Sequence, residues 1–292
     1  MSVRQPHVAG SFYPGTASKC EEMLVRCLST EAVLGAGEHR VVGGVVPHAG
    51  WIFSGPTAGR VFRAVQESGG ADTFILFGAV HVWGVDRPSV YARGAWRTPL
   101  GDAPIDEELA AALLDTMSGF LVDAPEAHES EHSLEVQVPF LQHLFPAARI
   151  LPIMVPPMAE AARLGREVAR VVEASRGAKR VVALGSSDLT HYGPNYRFMP
   201  KGLGAGSLEW VKTQNDKRIL DLAIAMKEDA IVSEAMGQMN ACGPGAMAAA
   251  CAFASQFGAS TGRLVGYTTS YDVMPERQPT SFVGYGGVVY EA

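Results

Sequence analysis

Along the chain, short and nearly continuous apolar runs alternate with longer stretches of helical period. The apolar runs at 41–46, 73–77, 149–155, 180–184, 263–269 and 281–290 are read as strands. Because most are unbroken rather than alternating, they are expected to be covered on both faces. Helical patterns occupy 18–28, 56–67, 106–117, 133–145, 159–174, 216–226 and 244–257. Ser54-Gly55-Pro56 reads as a cap with proline in the first turn. In the first helix Cys20, Met23, Leu24 and Cys27 fall at i, i+3, i+4 and i+7, the spacing of a buried stripe, so these two cysteines belong to the core. Strands alternating with helices predict an α/β fold with a largely parallel or mixed central sheet and helices on both faces. No Pro/Gly/Ser linker, repeat or low-complexity stretch divides residues 1–292, which reads as a single domain.

Composition narrows the function classes. The chain is 47% hydrophobic and 18% charged, with a net charge of −6. Its 292 residues are enough to bury roughly 75% of the surface that the unfolded chain exposes. No run of lysine or arginine is available to neutralise a row of phosphates, which argues against a nucleic-acid partner. The four cysteines show neither C-x-x-C nor zinc-finger spacing and are too sparse for a disulfide scaffold. No stretch approaches the roughly 20 apolar residues of a membrane span, and the first residues lack a signal-peptide pattern. The expectation is a cytoplasmic protein with reduced thiols and no membrane partner.

The reactive residues fall at particular places. The 41–46 run leads directly into Pro47-His48-Ala49-Gly50, the 73–77 run into Gly78-Ala79-Val80-His81, and the 180–184 run into Gly185-Ser186-Ser187-Asp188-Leu189-Thr190-His191. Three strands each deliver a histidine just past the carboxyl end, the edge where open α/β sheets bind ligands. One such histidine would ordinarily be a hydrogen-bonded loop residue; three placed alike point to a shared pocket. Cys242, in Asn240-Ala241-Cys242-Gly243-Pro244-Gly245, precedes an alanine-rich helical stretch, where the helix dipole favours thiolate. Its bland reading is a small buried hydrophobe, the role assigned to Cys251. Asp188, three residues before His191, is placed to fix the tautomer of that imidazole, or else to cap a turn.

His128-Glu129-Ser130-Glu131-His132 matches H-E-x-x-H, the zinc-protease pattern. That chemistry needs both histidines on one face of a long helix. Here the stretch follows Pro125, is polar throughout, and lacks the third-ligand spacing. The protease reading is therefore set aside. His132 and Glu131, together with Glu135, are kept as pocket residues against the alternative of solvated helix-start charges. His7 and Trp51 border the same region without an assigned role.

Several segments resemble the Memo-like family, of the AmmeMemoRadiSam system protein B type. They are Ala9-Gly10-Ser11-Phe12-Tyr13-Pro14, Val46-Pro47-His48-Ala49-Gly50-Trp51-Ile52-Phe53-Ser54-Gly55, Glu131-His132-Ser133-Leu134-Glu135 and Ser186-Ser187-Asp188-Leu189-Thr190-His191-Tyr192. The Cys242-Gly243 pair and Thr268-Thr269-Ser270-Tyr271-Asp272 complete the set, in order along nearly the whole chain. The resemblance implies a LigB-like fold, similar to the class III extradiol ring-cleaving dioxygenases, which bind ferrous iron through two histidines and a carboxylate. Carried over, His48 and His81 match the imidazole ligands, His191 the acid/base histidine, and Cys242 takes the carboxylate's place. A thiolate there shifts the preference toward copper, zinc or thiolate-bound iron. The family also implies a link to a radical SAM protein in bacteria and archaea. In animal relatives, signalling roles with phosphotyrosine-peptide and copper or iron binding have been proposed.

Two further readings stand beside a metal-dependent, dioxygenase-like oxidoreductase acting on a small aromatic or chelating substrate. One is a non-catalytic binding or signalling protein that uses the pocket for a peptide or small ligand. The other is a metal-free hydrolase in which Cys242 attacks and His191 is the base.

Overall fold

The computed structural model describes residues 2–35, 38–175, 177 and 179–292. Four parallel strands form the middle of a nine-stranded sheet, in the spatial order Val41–Val46, Val181–Ser186, Thr73–Gly78 and Arg149–Met154. Phe282–Glu291 pairs antiparallel with Val41–Val46, and Gly262–Thr269 pairs antiparallel with Phe282–Glu291. On the opposite side Ser89–Val90 runs antiparallel to Arg149–Met154 and carries Val122–Asp123. The sheet is thus mixed, with a parallel centre, within the predicted α/β class. Val41–Val46, Thr73–Gly78 and Val181–Ser186 are buried at every position, as their unbroken apolar sequence requires.

Gly43 and Gly44 show how both faces are covered. Successive residues of a strand point to opposite faces. A Cβ on Gly43 would meet the Ala254 side chain at 3.2 Å, and one on Gly44 would meet Val61 at 3.5 Å. Ala254 belongs to the helix Pro244–Gln256 and Val61 to the helix Trp51–Glu67, so each face carries a helix. Pro244–Gln256 is buried from Pro244 to Ala254 and packs on both the sheet and the helix Ala161–Ser175. Small residues make this approach close: a Cβ on Gly165 would overlap the Ala249 carbonyl.

Two helix boundaries differ from expectation. The second helix starts at Trp51, not Pro56, leaving Pro56 inside it. The Ser54 hydroxyl donates back to the Ala49 carbonyl (3.0 Å) instead of capping, and the Trp51 N–H is taken by the Phe12 carbonyl (2.8 Å). The stretch 133–145 forms a 3-10 turn, Glu135–Gln137, and then the helix Val138–Leu144. Its first residues use their polar groups in tertiary contacts. Sequence periodicity also missed the helix Glu228–Gln238, where only Ile231 and Ala235 are buried and no apolar stripe exists. The small sheet of Val3–Arg4, Ala95–Thr98 and Gly101–Pro104 was missed as well. Among the described residues no helix is long and apolar enough to cross a membrane.

Opposite outcomes are expected for two glycine-to-alanine changes in helices. Gly165→Ala should destabilise by about 1–3 kcal/mol through overpacking. Gly237→Ala, in an exposed helix with nothing within 4 Å of the new methyl, should stabilise by about 0.4–1 kcal/mol. Urea denaturation of both variants checks the pair.

Candidate metal centre

The parallel register places three strand ends side by side. His48 lies two residues beyond Val41–Val46 and is 2% exposed. His81 follows Thr73–Gly78 and leaves part of its ring open. Val181–Ser186 leads through Asp188 to His191, which opens the short strand His191–Tyr192. Facing them, Cys242 stands just before the helix Pro244–Gln256, its backbone N–H donating to the Asp188 carbonyl (3.2 Å). The Gly243 N–H donates to Ser187 Oγ (2.9 Å).

His48, His81 and His132 converge, each offering one ligand atom, and these atoms all lie within 4.8 Å of one another. The His81 and His132 rings stack at 4.5 Å, and His48 meets both edge-on at 5.1 and 5.5 Å. Cys242 Sγ lies 3.1 Å from His48 Nε2.

Hydrogen bonding assigns the tautomers. Ser186 Oγ donates its only proton to the Ser133 carbonyl (2.7 Å) and accepts from Gln137 Nε2 (3.1 Å). It can therefore only accept from His48 Nδ1, 3.0 Å away. That leaves the His48 Nε2 lone pair directed at Cys242, so the thiol donates. His81 Nδ1 donates to Glu131 Oε1 (2.9 Å), and His191 Nδ1 donates to the Leu189 carbonyl (3.1 Å). Each of these three rings is thus oriented by an acceptor behind its Nδ1–H, which leaves Nε2 as the position that can meet a metal.

Electrostatics agree. Burial and the neighbouring imidazoles push the His48 pKa well below its ordinary value. Burial, with His81 alongside, takes His132 down to about 4. Burial also lowers His191. Burial alone would raise Glu131, but hydrogen bonds from the His81 ring and from the His81 and Ser133 N–H groups hold it down at about 2. His48 and His132 are therefore neutral imidazoles and a carboxylate backs His81, a donor set that suits a divalent transition metal.

Two expectations need correction. Asp188 does not orient His191: its Oδ1 accepts the backbone N–H groups of His48 (2.7 Å) and Ala49 (3.3 Å). The Asp188–His191 stretch is not helical, so the carboxylate turns to the neighbouring strand-end loop; burial raises its pKa to about 7. Nor is the Cys242 thiol poised as a thiolate. Burial, followed by the Asp188 carboxylate, pushes its pKa up, which removes support from the metal-free nucleophile reading.

His132 stands in the imidazole cluster and Glu131 backs it through His81, a fully buried carboxylate and not a solvated charge. The H-E-x-x-H pair is split. The helix Pro125–His128 ends at its first histidine, whose ring is boxed by Tyr91 and Trp96. Cys20, Cys27 and Cys251 are buried, as expected. Ser186 and Ser133, which lie within the quoted motifs, were given no role in the sequence reading and Gln137 was not singled out, because single polar residues beside a strand or in a turn carry no pattern.

The fold and cluster define an α/β protein whose sheet edge carries three imidazoles suited to a metal ion. The family model described as Memo-like protein matches residues 4–289, and the chain belongs to this family. A MEMO1 family protein of Thermococcus onnurineus is 37% identical, covering 99% of both chains. One of Methanococcoides burtonii is 35% identical, over 98% of this chain and 99% of its own. The crystal structure of an uncharacterized Escherichia coli K12 protein shares the fold, with a TM-score of 0.51 at 11% identity, covering 86% of this chain and all of the other.

A raised thiol pKa makes Cys242 a poor nucleophile in the metal-free protein. Iodoacetamide should label it at pH 7 at least about tenfold more slowly than a free cysteine, and faster as the pH rises. Mass spectrometry of the digested protein reads the rate.

Proposed function

We propose that this chain binds a redox-active metal ion, iron or copper, with zinc the next choice. On this reading it is an oxidoreductase on a small aromatic or chelating substrate, with an extradiol-dioxygenase-like site. The observation that carries the reading is the convergence of His48, His81 and His132, with the His48 and His81 Nδ1–H groups committed to Ser186 and Glu131 and Cys242 Sγ beside His48 Nε2.

His48, His81 and Cys242 hold the ion, and His132 supplies a further imidazole. His48 Nε2 and Cys242 Sγ, 3.1 Å apart, would face the same ion. Cys242, inert as a thiol, would serve as a ligand once its proton has gone to solvent. The metal, when bound, supplies a Lewis-acid template and electron-transfer chemistry. His191, neutral at pH 7 and with Nε2 free, takes a proton from the substrate and returns it later. Asp188 keeps the His48 loop in place through its two backbone hydrogen bonds.

Protein purified anaerobically should contain near-stoichiometric iron or copper by elemental analysis. A His48→Ala/His81→Ala double variant should lose it, and Cys242→Ser should bind more weakly and lose the sulfur-to-metal charge-transfer absorption of the cobalt(II) form. Equal metal in wild type and double variant would overturn the ligand assignment. Bound iron with no O₂ uptake across a panel of catechols would turn the reading to a non-catalytic binding protein.

A further inference from the structure

The stretch between the helix Pro125–His128 and the turn Glu135–Gln137 has no helix or strand of its own, yet much of the site hangs on it. It supplies His132. Its Glu131 carboxylate accepts both the ring and the backbone N–H of His81 (2.9 and 2.7 Å), and its Ser133 carbonyl accepts from Ser186. Irregular backbone cannot hold side chains to the tolerance that metal ligation requires unless something else pins it.

That pin comes from the far end of the sequence. Arg4, 3% exposed, lays its guanidinium over the Trp96 ring at 4.2 Å. From there Nε donates to the His128 carbonyl (2.7 Å), Nη2 to the Glu131 carbonyl (2.9 Å) and Nη1 to Glu135 Oε2 (2.8 Å). One planar fork therefore grips the stretch before, at and after Glu131. Glu135 is saturated in turn, accepting also from the His7 and Val8 N–H groups and the Tyr13 hydroxyl (2.8, 2.9 and 3.0 Å). A lysine could keep the charge but not the three-way geometry.

We propose that Arg4, acting through Glu135 and the carbonyls of His128 and Glu131, is the positioning residue that sets the His81–Glu131–His132 arm of the metal centre. It touches no metal or substrate; it decides where Glu131 holds the His81 ring and where His132 stands. The idea deepens the metal-binding reading and rests on it for the metal readout alone.

The test compares wild type with Arg4→Lys, first without metal. Imidazole ¹H–¹⁵N spectra should show His81 as the Nδ1–H tautomer in wild type. In the folded variant the His81 and His132 signals should shift, with His81 losing that single tautomer. His191, held by Leu189 on another loop, should stay put and serve as the internal reference. Cobalt(II) titration should then show roughly 10–100-fold weaker binding, the usual effect of losing such a partner, and an altered ligand-field spectrum. Leu113→Ala, destabilised in the helix Glu107–Thr116 away from the site, should keep wild-type affinity. Unchanged His81 and His132 signals in folded Arg4→Lys would overturn the proposal. If wild type takes up no metal, the metal-binding reading fails while the ring spectra still decide the role of Arg4. Should Arg4→Lys not fold, Tyr13→Phe, which removes one donor from Glu135, carries the same comparison: a shift confined to His81 and His132 supports the proposal and no shift overturns it.

Discussion

A histidine presents a lone pair only when its proton sits on the other ring nitrogen, and here three protein acceptors fix it there. Ser186 Oγ, the Glu131 carboxylate and the Leu189 carbonyl each take one Nδ1–H, from His48, His81 and His191. The Ser186 case depends on a chain of donors: Gln137 binds the Pro47 carbonyl and Ser186 together, and Ser186 passes its own proton to Ser133. Because these groups are buried, a missing partner would leave an unsatisfied polar atom at a cost of about 1–3 kcal/mol. The same bonds that satisfy the interior therefore aim the rings.

Those acceptors can be in place only because the sheet is packed tightly beneath them. The parallel centre sets the ends of Val41–Val46, Thr73–Gly78 and Val181–Ser186 next to each other. Glycine and alanine let the helix Pro244–Gln256 approach, which brings Cys242 at its start to within reach of His48. A bulkier contact would push the cysteine away from the imidazole without touching either residue.

Charge is handled by pairing. Arg4 and Glu135 are both buried, and removing one member of such a pair costs about 3–5 kcal/mol. Glu131 is equally enclosed and stays ionised because His81 and Ser133 donate to it. Cys242 meets the opposite condition: enclosed next to Asp188, it holds its proton.

The α/β class, the main strands, the burial of Cys20, Cys27 and Cys251, and the placement of His48, His81, His191 and Cys242 at one end of the sheet were legible in the chain. These follow from period and from position at strand ends, both local properties. Family membership was legible too, since the motifs are long and run in order. What Asp188 holds, why Glu131 is buried, that His132 joins the cluster while His128 does not, and which way each ring points were decided only by the tertiary structure. The roles of Asp188 and Glu131 and the directions of the His48 and His81 rings depend on hydrogen bonds between residues about 50 to 140 positions apart in the chain, and such partners leave no periodic trace: a serine beside a strand or a glutamate in a turn looks the same whether it faces water or a histidine.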